Sequence, residues 1–228
     1  KRGKIYSINK DNIVAPDYIV AATSSNVDEK ILNKLFSSEH YTLLGNADFA
    51  LGIVTGNNKE HVLEKSTDQS EPIYRGKDII PYSYLEPHCF IEFKPEIYQQ
   101  VAPLKYFRTK KIVYRFISDK LICVLDDNNN LVLNSANLFI PYNYPMETIV
   151  CLFNSSIYSF IYRKKYHSTK VLKSHIQSMP LPKYSKEDHL RFMYLYRDIC
   201  SGTIKQDDID LEICKYFGLL FEEYNYIK

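Results

Sequence analysis

The chain has 228 residues, 45% of them hydrophobic and 25% charged, with a formal net charge of +2. That is the balance of a globular protein able to bury one substantial core, and no apolar run approaches the ~18 residues of a membrane-spanning helix. Composition therefore excludes a helical membrane protein, and its five cysteines, odd in number and without a Cys-x-x-Cys pair, fit reduced thiols in a cytoplasmic protein better than structural zinc. The start at Lys1-Arg2-Gly3, without Met or a signal segment, reads as part of a longer protein.

In chain order, Ser24-Ser25-Asn26 precede apolar residues at helical spacing (Ile31, Leu32, Leu35, Phe36), which predicts a short helix ending near Ser37-Ser38. From Phe49 to Tyr184 the pattern changes to short β-rich runs: 50–54, 73–75, 89–93, 111–116, 121–125 and 131–140. Asp126-Asp-Asn-Asn-Asn130 is a strong turn signal and predicts a hairpin between the last two runs. After Pro145 the period returns to 3.6. Ile149, Leu152, Phe153, Ile157, Phe160 and Ile161 make one apolar helical face leading to Arg163-Lys-Lys165. A short helix follows over 171–177, then one opened by Ser185 and Asp188 and closed at Ser201-Gly202, then one over 207–217 stopped by Gly218. The fold class is α+β, a mixed or antiparallel β-rich body with helices gathered in the C-terminal part.

Charge is unevenly spread. Residues 72–175 carry 14 Lys/Arg against 8 Asp/Glu, whereas 186–228 carry 6 against 9. A basic middle fits either a solvated face or a polyanionic partner.

Gly52-Ile-Val-Thr-Gly-Asn-Asn-Lys59 has the look of a phosphate-binding loop but fails its test. That loop needs Gly-x-x-x-x-Gly-Lys-Ser/Thr with the lysine opening a helix; here the lysine lies three residues past the second glycine, and residues 61–65 read as a strand. Gly56-Asn57-Asn58 is expected to be a tight turn between strands.

The same stretch is followed by Pro72-Ile-Tyr-Arg-Gly-Lys-Asp-Ile79, Lys111-Ile-Val-Tyr-Arg115, Leu152-Phe-Asn-Ser155, Tyr162-Arg-Lys-Lys165, Lys170-Val-Leu-Lys173 and Met179-Pro-Leu-Pro182. This order resembles the TaqI-like C-terminal specificity domain, the target-recognition part of adenine-specific DNA methyltransferases and Type II restriction-modification enzymes. The resemblance runs from about Leu43 to the end of the chain. It implies double-stranded DNA as partner and a methyltransferase domain earlier in the same chain. That domain would use S-adenosyl-L-methionine; its Asn-Pro-Pro-Tyr type motif does not occur here, so the fragment is expected to hold no cofactor and to catalyse nothing. The implied organisation is 1–42 as linker and helix from the catalytic part, 43–184 as recognition domain and 185–228 as a helical segment. Type I specificity subunits carry related domains, and part of such a subunit is an alternative.

Within that frame the DNA-binding candidates are Asn57, Asn58, Lys59, Arg75, Lys77, Lys105, Arg108, Lys110, Lys111, Arg115, Arg163, Lys164, Lys165, Lys170 and Lys173. Each has a structural alternative: a plain turn for the asparagines, an Arg75–Asp78 pair, a core-facing strand near Tyr114, and cations offsetting a helix dipole at 163–165. Lys170 and Lys173 are expected on phosphates and Arg75 on a base edge. A nuclease alternative assigns a divalent metal and water activation to Asp78, Glu92 and Lys94, since Asp followed by Glu-x-Lys is a metal-holding pattern.

Overall fold

The computed structural model describes residues 25–228, so residues 1–24 of the expected N-terminal segment lie outside the described residues. In chain order the elements are α1 (Asn26–Ser37), β1 (His40–Tyr41), β2 (Ala47–Leu51), α2 (Asn58–His61), β3 (Val62–Leu63), β4 (Glu71–Tyr74), β5 (Ile79–Ile80), β6 (Ser83–Tyr84) and β7 (Phe90–Ile91). There follow β8 (Lys111–Arg115), β9 (Cys123–Asp126), β10 (Leu131–Val132), β11 (Ala136–Pro141), α3 (Met146–Asn154), α4 (Ser156–Tyr166) and α5 (Lys173–Gln177). β12 (Leu181–Pro182), α6 (Lys186–Cys200), α7 (Gln206–Phe217) and α8 (Phe221–Ile227) complete the chain. The α+β class read from sequence is correct. Among the described residues no helix is long and apolar enough to cross a membrane.

The central sheet has the order β2-β11-β8-β9, antiparallel throughout. Side chains alternate faces along a strand, and here both faces are covered. Ile112, Tyr114, Cys123 and Phe139 join a core with α1, α3, α4, α6, α7 and α8. Val113, Val124, Ala136 and Leu138 join a second core with Ile53, Ile73, Ile91 and Leu131. That explains why these strands read as near-continuous apolar runs. A second sheet, β10-β4-β7-β3, lies on the second core. The first core holds Ile31, Leu43, Phe192 and Ile227 together, so residues from all three expected spans share one apolar interior.

Three expectations need correction. First, the turn after β9 does not close a hairpin: β10 pairs in parallel with β4, Leu131 opposite Ile73 and Val132 opposite Tyr74, so the chain crosses between sheets. Asp126 is the pivot, accepting from the Asn128 (3.0 Å) and Asn130 (3.4 Å) amides, while Asn129 takes a positive φ of 60°. Second, the long helix after Pro145 is two helices. Ser155 is extended between them, caps α4 by accepting from the Tyr158 amide at 3.1 Å, and donates to Leu152 O. Third, the expected strand at 61–65 is realised only at Val62–Leu63 as β3, because His61 still belongs to α2, a single helical turn that starts at Asn58.

Other termini follow the local chemistry. Ser25 and Asp28 cap α1 reciprocally, and Ser185 and Asp188 do the same for α6. Gly218, at φ 60°, closes α7 in the left-handed conformation.

Candidate nucleic-acid interface

Gly52 and Gly76 of the opening motifs are used inward. A Cβ on Gly52 would overlap the carbonyl oxygens of Leu133 and Ala136, and a Cβ on Gly76 would overlap that of Ser135. The turn between β10 and β11 is clasped on both sides. Ile53 donates to Val132 O (2.8 Å), Leu133 to Tyr74 O (2.9 Å), Asn134 to Ile53 O (3.0 Å), and the Gly76 amide to Ser135 Oγ (2.8 Å). Only a residue without a side chain permits this backbone approach.

Beside the clasp lies a recess of about 480 Å³ lined by Arg75, Gly76, Lys77, Arg115, Ile117 and Ser135. Three of these are cations and none is a carboxylate. Arg115 is fixed: its Nη2 donates to Ile79 O (2.6 Å) and Lys77 O (3.2 Å), while its buried Nε has no partner among the described residues. The neighbouring Asp78 makes no side-chain ion pair with the cations of the recess. Its carboxylate is turned inward, 2% exposed, and accepts from the Arg75 amide at 2.7 Å. The expected Arg75–Asp78 contact thus exists through the backbone and leaves the guanidinium available. Among the described residues no carboxylate lies within ion-pair distance of Arg75, Lys77 or Arg115.

A β-bridge between Ile117 and Lys170 brings a distant part of the sequence to this rim, reinforced by Ser118 N to Thr169 O (2.9 Å) and Val171 N to Phe116 O (2.8 Å). Lys170 is exposed, and Lys173, also exposed, rests over the Phe49 ring at 5.3 Å. The structure therefore joins Arg75, Lys77 and Arg115 to Lys170 along one edge.

The remaining candidates are dispersed. Lys111 is a correction: it is fully buried, ion-paired with Asp126 at 3.1 Å and donating to Phe107 O at 2.8 Å, so no external ligand reaches it. Burial draws its pKa down, opposed by Asp126. Arg108 is held by Glu71 (2.6 Å) and Asn129 O (2.8 Å), and Lys110 by Glu147 (2.6 Å). Lys105 lies 5.1 Å over the Tyr106 ring. Asn57 donates to Glu60 (3.1 Å), and Asn58 Oδ1 accepts from Thr55 (2.7 Å), so both asparagines shape the turn whose Gly56 has φ 83°; Lys59 is exposed on it. At the end of α4, Arg163 is exposed, Lys164 pairs with Asp28 (3.0 Å) and Lys165 sits over Phe36 (4.2 Å).

The nuclease grouping is divided among separate partners. Glu92 pairs with Lys94 at 2.8 Å and accepts from Thr67 at 3.4 Å, while Asp78 serves its turn and lies 3.5 Å from His88 Nε2. Among the described residues no group of three or more His, Cys, Asp or Glu is placed to hold a metal ion. Besides Gly76, which sits between two candidates, the lining residues Ile117 and Ser135 were not candidates from sequence. Neither type nor spacing marks them, since they reach the recess only through the 117–170 bridge and the clasp.

Fold and site define an α+β chain whose basic, carboxylate-poor recess is assembled from three separate strand ends. Residues 71–181 match the TaqI-like C-terminal specificity domain, the family that the order of motifs resembles. A stretch of 64 residues, 28% of this chain, is 41% identical to the Type II methyltransferase M.VspI of Vibrio sp. (strain 343). The match spans only 16% of that protein's length. Among solved structures, a chain from a type I R-M system aligns with 83% of this chain and 44% of its own length, at TM-score 0.45 and 14% identity. The HsdS subunit from Thermoanaerobacter tengcongensis aligns over 85% and 51%, at TM-score 0.47 and 13% identity.

Proposed function

We propose that this chain is the DNA target-recognition part of a restriction-modification methyltransferase. The observation that carries the reading is the recess of Arg75, Lys77 and Arg115 inside the matched specificity domain, with Lys170 at its rim and no carboxylate in its lining. Unpaired cations on a concave surface raise the local positive potential, which attracts a polyanion and steers its approach. The similarity to a Type II methyltransferase supports the finer reading. In the full-length polypeptide a methyltransferase domain outside these 228 residues binds S-adenosyl-L-methionine in the cytoplasm and methylates adenine, a base that must leave the stack to be reached. The residues of this chain supply docking on duplex DNA, and neither cofactor binding nor cleavage.

The test is equilibrium binding of the 228-residue chain to duplex DNA across a salt series. Counterion release from several phosphates makes affinity fall steeply between low and physiological salt. Flat affinity across that range removes the electrostatic basis of the reading. Binding of S-adenosyl-L-methionine by this chain, measured calorimetrically, contradicts the assignment of the cofactor to a separate domain.

A further inference from the structure

We propose that the recess lined by Arg75, Lys77 and Arg115 seats one phosphate of the DNA backbone, so that Arg75 positions the duplex and does not read a base. The inference rests on the DNA-recognition reading and reverses the base-edge role expected for Arg75.

Shape is the first argument. Base edges lie about 8.5 Å deep in the major groove, so a residue that reads them must project from the protein surface. Phosphates are the part of the duplex that protrudes and enters a hollow. Arg75 is half-buried in the wall of a hollow of about 480 Å³. Gly76 does not bring it nearer a groove, because the missing side chain is spent on the internal approach to Ser135.

Chemistry is the second. The one neutral polar side chain in the lining, the Ser135 hydroxyl, already accepts from the Gly76 amide at 2.8 Å. What the recess offers is positive charge in a partly fixed geometry. Arg115 is immobilised by two backbone carbonyls, so little side-chain entropy is lost when its charge is used. Arg75 supplies a planar donor fork suited to phosphate oxygens, and Lys77, exposed at the edge, a mobile ammonium. Ile117, 54% exposed on the lip, gives an apolar surface for a sugar, and its bridge to Lys170 sets a further cation along the strand's path.

The experiment compares the wild-type chain with Lys77→Ala and Arg75→Ala, using unrelated duplexes over a salt series, with thermal unfolding as a check on folding. Each substitution is expected to weaken binding by a similar factor on every duplex and to shallow the salt slope by about one phosphate. A loss confined to one sequence, or an unchanged slope in both variants, overturns the phosphate seat while leaving DNA binding intact. In parallel, inorganic phosphate is titrated into the wild-type chain and followed by the NMR signals of the arginine Nε–H groups. Saturable shifts at Arg75 and Arg115 that weaken in Lys77→Ala support the seat; no shifts overturn it. If the wild type binds no duplex but shows those shifts, the DNA reading has failed and the recess remains an oxyanion site for another ligand.

Discussion

Lys111 Nζ and Asp126 Oδ2 stand 3.1 Å apart with both side chains wholly excluded from solvent. Asp126 also accepts from Tyr84 OH (2.8 Å) and organises the turn that carries the chain from one sheet to the other. Replacing Lys111 with Met leaves a buried carboxylate without its cation, a change that costs about 3–5 kcal/mol. Urea unfolding of Lys111→Met is expected to show that loss, and Lys111→Met combined with Asp126→Asn to recover part of it. The salt slope for DNA should be unchanged in whichever variant remains folded, because Lys111 touches no surface.

Gly52→Ala and Gly76→Ala each force a methyl group into backbone carbonyls of the 133–136 turn, which has no flexible end to give way. Overpacking of this kind costs about 1–3 kcal/mol or more. Gly45→Ala is the control: it sits at φ 73° with open space around it, so only the left-handed backbone strain of about 1–2 kcal/mol applies. Denaturation midpoints should place Gly52→Ala and Gly76→Ala both below Gly45→Ala, and equal midpoints for all three would dismiss the clasp.

Asp28 links α1 to α4 through Lys164 and to α8 through Tyr226 OH (3.1 Å). Burial pushes its carboxyl pKa up, but the Ser25 amide and hydroxyl and the Lys164 ammonium outweigh this and hold it below the ordinary value. A carboxyl depressed on folding contributes stability above its unfolded pKa of about 3.9 and loses that contribution as pH falls through the folded value. Lys164→Met should therefore move the acid-unfolding midpoint to higher pH. Its DNA affinity should stay near wild type, since this lysine is committed to Asp28; a lost phosphate contact would show that it has a second role.

Arg108 and Lys110 are neutralised by Glu71 and Glu147, whereas no carboxylate pairs with Lys170 or Lys173 among the described residues. Alanine at 108 or 110 is expected to leave the salt slope intact. Alanine at 170 or 173 should shallow it by about one phosphate and weaken binding evenly on all sequences. Equal effects at all four positions would mean that the ion pairs open on binding.

Ser155 is fully buried between α3 and α4, with its hydroxyl bonded at both ends of the break. Ser155→Ala removes the α4 cap and leaves the Tyr158 amide unsatisfied, a loss of about 1–2 kcal/mol. Thermal melting should register the change with no effect on DNA specificity.

Local chemistry by itself determined the helix caps at Ser25, Ser185 and Gly218, the α+β class and the turn at 126–130, while the specificity domain was marked by the resemblance that its short motifs carry. These are decided within a few residues of chain, by capping hydroxyls, positive φ and the period of apolar side chains. Pairing partners were beyond its reach. Asp126 to Asn130 announce a turn, but whether β10 returns to β9 or crosses to β4 depends on which sheet buries Leu131 and Val132. Charge is likewise silent about its neighbours: Lys110, Lys111 and Arg115 look alike along the chain. Only packing placed the first against Glu147, sealed the second with Asp126 and left the third in a recess with Arg75 and Lys77. Whether a cation faces a carboxylate or an open hollow is set by contacts between residues tens of positions apart, so the tertiary structure alone decided which basic residues remain for a partner.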